Sequence, residues 1–111
     1  EEVNTSLSRA GTFSPLNGKS TSGSAILQAG LGQVLELNFS SDFTLSDGPG
    51  LFVFLSNTEF PSDDAINLGA FVSPTGAQRY TIPEGITLDS FSHVVVHCVP
   101  YDVTFAAAEL K

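Results

Sequence analysis

An all-β fold is predicted for this chain: an antiparallel sandwich or flattened barrel of short strands, with little or no helix. Three observations predict it. Apolar and polar side chains alternate at period two in several stretches, as they do in a strand with one face in a core. Turn chemistry interrupts the chain repeatedly, at Asn17-Gly18, Gly30-Leu31-Gly32, Asp47-Gly48-Pro49-Gly50, Ser73-Pro74-Thr75-Gly76 and Pro83-Glu84-Gly85. No stretch of roughly ten residues holds an amphipathic pattern at helical period. The turn spacing sets the expected number of strands at roughly eight to ten.

Taken in order, residues 1–9 read as a polar tail or linker behind a removed export signal, and residues 10–111 as one β domain. Gly11–Ser14 and Ser22–Ala29 are predicted strands joined through the Asn17-Gly18 turn. Gln33–Phe39 alternates clearly: Leu35, Leu37 and Phe39 point one way, Val34, Glu36 and Asn38 the other. Leu51–Leu55 (LFVFL) and Val94–Val96 are apolar on both faces, which suits central strands covered on both sides by a second layer and a loop or partner. Gln78–Ile82 repeats the alternation, with Tyr80 and Ile82 on the buried face. Val103–Leu110 includes Ala106-Ala107-Ala108, which favours helix, but Val103-Thr104-Phe105 favours extended structure, and the segment is assigned as the last strand.

Composition narrows the function classes. The 111 residues are 41% hydrophobic and only 14% charged, enough to enclose a core without staples. Twelve acidic residues against four basic ones give a net charge of −8, which repels phosphate backbones and anionic lipid. Nucleic-acid binding and direct membrane insertion are therefore not expected. The scarcity of Lys, the abundance of Ser, Thr and Gly, and the absence of Met lean toward an extracytoplasmic protein: periplasmic, secreted, or surface-anchored through a removed N-terminal segment.

Most chemical motifs fail on spacing. Gly18-Lys19-Ser20 lacks the first glycine of a phosphate loop, since Phe13 stands there. The acidic loop residues Asp42, Asp47, Asp63 and Asp64 lack calcium-loop spacing and read as solvated. His93 and His97 share a strand face but stand about 13 Å apart at strand rise, too far to hold one ion. No His or Met follows Cys98 to complete a blue-copper set, and no motif supports haem ligation. No cofactor is identifiable. No nucleophile–base pair can be named either, so the reading leans away from an enzyme.

The sharpest local feature is His93-Val94-Val95-Val96-His97-Cys98, followed by the turn Pro100-Tyr101-Asp102. Cys98 has two readings. It is a small hydrophobe filling the core beside Val94 and Val96, or a reactive thiol at a strand end. In the second reading His97 and Tyr101 are its nearest candidate neighbours. His97 leaves the opposite face unless the strand bulges there.

Taken as an ordered set, several segments resemble the DM-13 domain, a small module found beside DOMON domains in animal proteins and alone in bacterial exported proteins. They are Gly11-Thr12-Phe13, Ser22-Gly23-Ser24-Ala25, Leu35–Phe39, the run from Asp47 to Ser56, and Leu68-Gly69. The set continues through Gly76–Pro83 and Val94–Cys98 to Phe105–Leu110. The resemblance covers the chain from about Ala10 to its end and marks it as similar to the exported single-domain members. It implies a β-rich extracytoplasmic domain and an electron-transfer role resting on one cysteine, which maps onto Cys98. Two positions differ from the usual pattern: Gly50 stands where an acidic residue is common, and His97 where an aromatic often precedes the cysteine. One cysteine cannot cycle between dithiol and disulfide within its own chain, so such a role needs a bound cofactor, an intermolecular disulfide with a protein or redox partner, or a sulfenic-acid step at an accessible thiolate. The alternative is a non-enzymatic cell-surface binding or structural module in which Cys98 only packs. There the two-sided apolar strands offer a route to self-association.

Overall fold

The structure, a computed structural model, describes residues 8–29 and 35–111. Residues 1–7 of the predicted tail, the predicted turn at Gly30-Leu31-Gly32, and Gln33 and Val34 at the head of the next predicted strand lie outside the described residues. The described residues form β1 (Ser8–Pro15), β2 (Thr21–Ser22), β3 (Ser24–Ala29), β4 (Leu35–Phe39) and β5 (Thr44–Leu45). These are followed by β6 (Leu51–Ser56), β7 (Ile66–Ala70), β8 (Gln78–Thr81), β9 (His93–Cys98) and β10 (Val103–Glu109). Among the described residues there is no helix, and the Ala-rich segment is the strand β10. Ala106 and Ala108 face the core and Ala107 the outside, each closely flanked, so small side chains serve packing here rather than helix propensity.

Eight strands form one antiparallel sheet in the order β7-β6-β9-β10-β1-β3-β4-β8, while β2 and β5 pair separately. The large sheet curls into a nearly closed barrel because β1 serves two partners in succession. Ser8–Thr12 pairs with β3, and Phe13–Pro15 pairs with β10. Ser8 and Arg9, read from the sequence with the leading segment, thus belong to the sheet. The Arg9 guanidinium ties them down by donating to the carbonyls of Leu88 (2.8 Å), Phe91 (3.0 Å) and Leu110 (2.8 Å).

The alternation read in the sequence is the inside of this barrel. Leu35, Leu37, Phe39, Tyr80 and Ile82 are all buried. The two runs apolar on both faces are interior strands: β6 lies between β7 and β9, and β9 between β6 and β10. Their inward residues Val53, Leu55, Val94 and Val96 are fully buried, and outward Val95 is equally so between its cross-strand partners Phe54 and Ala107. One expectation needs correction, and one strand is added. Ser22–Ala29 is not one strand, because Gly23 takes φ +95°, sends Thr21–Ser22 to β5, and leaves Ser24–Ala29 to β3. Ile66–Ala70, unassigned in the sequence, is the edge strand β7, whose register against β6 shifts between Val53 and Phe54.

At the seam between the two edge strands, side chains of β8 fasten the loop that leaves β7. Tyr80 Oη accepts the Val72 N–H (3.0 Å) and donates to Gln78 Oε1 (2.6 Å), while Gln78 Nε2 donates to Ser73 O (2.8 Å). Burial holds the Tyr80 phenol above its ordinary value of 10.0, opposed in part by the Val72 N–H. A raised folded value means that the native state favours the protonated phenol. The contribution to stability is therefore whole below pH 10.0 and is lost as pH rises through the folded value. Tyr101→Phe leaves Tyr80 as the sole tyrosine. In that background an absorbance titration is expected to show phenolate appearing above pH 10.0, together with loss of near-ultraviolet dichroism. Ionisation at or below the ordinary value, with the fold intact, would contradict the closed seam.

Candidate functional site

Cys98 ends β9 on its inward face and pairs with Val103 across the hairpin and with Leu51 across the sheet. The residue is 1% exposed, and its thiol donates to the Pro49 carbonyl at 3.0 Å. It belongs to the buried core cluster together with Val94, Val96 and Phe105. Cys98 also borders a cleft of about 330 Å³ lined by Lys19, Asp47, Gly48, Pro49, Tyr101, Val103 and Phe105. Three segments far apart in sequence build it: the turn after β1, the loop before β6, and the β9–β10 hairpin.

Local chemistry explains each wall. In the first, Asn17 (φ 55°) and Gly18 (φ 77°) form the predicted turn, and Asn17 Nδ2 donates to Thr104 O (2.8 Å), which fixes the turn against β10. Lys19 follows, its ammonium 4.4 Å from the centroid of the Phe105 ring. The second wall is Asp47–Gly50. Asp47 Oδ1 accepts the Gly48 N–H (2.8 Å), and a Cβ on Gly48 would stand 2.7 Å from the Phe105 ring, so the ring packs directly on the Gly48 backbone. Phe105 itself stands at a register shift between Thr104 and Ala106, an irregularity that re-aims a side chain out of strict alternation.

The third wall is the hairpin turn Val99–Asp102, closed by Asp102 N–H to Val99 O (3.2 Å). Val99 N–H donates to Gly50 O (3.0 Å), and the Pro100 ring rests on Gly50, where a Cβ would come within 2.4 Å of Pro100 Cδ. At φ +61° and under that ring, Gly50 cannot be exchanged for a residue with a side chain without moving the turn. Tyr101, 70% exposed, stands at the cleft mouth.

Of the three residues singled out from sequence, the structure thus brings Cys98 and Tyr101 to one cleft. His97 leaves the other face of β9, with no bulge to bring it round. It is buried, with Nδ1 bonded to Thr104 Oγ1 (2.8 Å) and Nε2 to Asp102 Oδ1 (2.9 Å), and its ring is edge-on to Phe54 at 6.1 Å. Sequence reasoning missed Lys19, Asp47, Pro49, Thr104 and Phe105. Thr104 alone carried a signal, because a four-residue turn after Cys98 sets His97 opposite Thr104. Among the described residues no three of His, Cys, Asp and Glu converge as ligands for one metal ion.

No curated protein and no solved structure matches the chain. A family model does: that described as Electron transfer DM13 matches residues 12–110, from the point where β1 changes partner to the residue after β10. The match takes in every wall of the cleft and the whole sheet apart from the first residues of β1, and the chain belongs to the electron transfer DM13 family.

Proposed function

We propose that this protein transfers electrons through Cys98, by thiol–disulfide exchange with a disulfide-bearing partner outside the cytoplasm. The observation that carries the reading is the place of Cys98 beside a cleft, with its thiol bonded to the Pro49 carbonyl of the cleft wall. The family description supports the reaction class, and the Lys-poor, Ser- and Thr-rich composition supports the location. With one cysteine in the chain, the exchange takes place between molecules. The Cys98 sulfur, having released its proton, attacks one sulfur of the incoming disulfide. A new S–S bond forms, the old one breaks, and the displaced sulfur leaves as a thiolate that takes up a proton. Cys98 is thereby oxidised to the mixed disulfide while the displaced sulfur is reduced to a thiol. A thiol of a second, reducing molecule then attacks the partner-derived sulfur of the mixed disulfide. A new S–S bond joins those two sulfurs, Cys98 leaves as a thiolate that takes up a proton, and the donor sulfur is oxidised while the first displaced sulfur stays reduced. Before the first step the contact from Cys98 to Pro49 O has to break. The ammonium of Lys19 on the wall suits an incoming group that carries a carboxylate.

A second reading keeps Cys98 as core packing in a non-enzymatic binding or structural module at the cell surface; its low exposure favours this. Incubation of the native protein with glutathione disulfide, followed by intact mass, separates the two. The exchange reading expects a single glutathionyl adduct on the folded chain, reversed by a thiol and absent in Cys98→Ser. The packing reading expects no adduct until denaturant is added, and that result would overturn the exchange reading.

A further inference from the structure

His97 holds the one imidazole in the fold with both nitrogens engaged across the hairpin, yet the carboxylate it uses lies in water. The His97 side chain is 5% exposed and that of Asp102 is 94% exposed. Asp102 is the last residue of the turn that walls the cleft and takes φ 55°, a left-handed conformation that Asp and Asn tolerate better than most residues. Through that turn, Val99 and Pro100 press on Gly50, and the next residue of the loop, Pro49, receives the thiol of Cys98. Turn and loop therefore close over the sulfur together, and a disulfide reaches it only when they part. The bonds on the cleft side are backbone bonds or buried. The His97–Asp102 bond is the fastening whose acceptor can turn to water without leaving a buried polar group unpaired.

We infer that His97 is a positioning residue: its bond to Asp102 clasps the Val99–Asp102 turn shut, so that access to Cys98 is governed from the opposite face of β9. This rests on the reading of Cys98 as the reacting thiol and adds to it the group that controls exposure.

The test is the rate at which native Cys98 reacts with dithiodipyridine, a small neutral disulfide that the net charge of −8 does not repel. Asp102→Gly keeps the left-handed backbone and removes the acceptor; Asp102→Asn keeps both the backbone preference and an Oδ1 acceptor. The glycine variant is expected to react about tenfold faster than the parent and the asparagine variant within about twofold of it, the shift that loss or retention of one such hydrogen bond produces. Arg9→Met supplies the control, since it loosens the other end of the β9–β10 hairpin and is expected to leave the Cys98 rate unchanged. A glycine variant that reacts at the parental rate would overturn the clasp. So would an Arg9→Met rate that rises as much at equal loss of stability, since exposure would then follow general unfolding. The redox reading fails separately: a parent inert to glutathione disulfide whose glycine variant reacts with dithiodipyridine would keep the clasp and remove the electron-transfer role.

Discussion

Replacing Phe43 with alanine is expected to lower the stability of the fold by about 3–5 kcal/mol, the range for emptying a buried aromatic site. Phe43 is fully buried at the end of the barrel beside the β2–β5 pair, with ring centroids of Phe39 at 4.8 Å, Phe13 at 5.1 Å and Phe71 at 6.0 Å. Its backbone is seated on Gly23, where a Cβ would stand 2.6 Å from Phe43 Cα, so the chain cannot sink to fill the void. A domain of this size is held by about 5–15 kcal/mol in total, which leaves the variant near its unfolding threshold. Urea titration followed by dichroism measures the loss. A cost below about 1 kcal/mol, the ordinary level for point changes, would mean that these four rings do not form the mouth of the core.

Gly11→Ala is expected to cost about 3 kcal/mol, the upper end of overpacking effects. The reason is steric rather than conformational. A Cβ at Gly11 would lie 2.1 Å from Glu109 O and 2.7 Å from Glu109 C, both backbone atoms. Neither side can yield easily, because Phe13 is paired with Ala108 and Lys111 N–H donates to Ala10 O (2.8 Å) on either side of the contact. Gly11 is thus the point at which β1 comes against the end of β10, just before it changes partner after Thr12 and the sheet curls. Amide exchange of Lys111 and of the β1 residues past Gly11 would show the two strands parting. Stability within about 0.5 kcal/mol of the parent, the level of an indifferent surface change, would contradict that crossing.

The strands were legible where one face is wet and the other dry. Leu35, Leu37 and Phe39, or Tyr80 and Ile82, reveal their orientation by period two alone. The same rule exposed β6 and β9 as central, because neither face of Leu51–Leu55 or Val94–Val96 has anything to offer water. It failed at Ile66–Ala70, half-buried at the sheet edge, with Gly69 at φ +120° next to a register shift. It failed again at Gly23, where a dihedral rather than a pattern ends one strand and starts the next. What closes the sheet, β1 with its two partners and the Tyr80–Gln78 seam, depends on contacts that local periodicity does not encode.

The site divides in the same way. Cys98 at a strand end beside a Pro-bearing turn could be read directly, and Tyr101 follows from adjacency. The remaining walls come from Lys19 and from Asp47–Pro49, brought to the sulfur by sheet order. The reason for a glycine at position 50, the Pro100 ring lying on it, is visible only in three dimensions.

The claim on which the account turns is that the Cys98 sulfur is reached from the cleft while the barrel stays folded. It is tested by comparing the rate of reaction of native Cys98 with a small disulfide, over a range of reagent concentrations, with the global unfolding rate from denaturant jumps. The account predicts a reaction that outpaces unfolding and is matched by unbroken amide protection of Val94–Val96. A rate that levels off at the unfolding rate would show the sulfur to be sealed, and would contradict it.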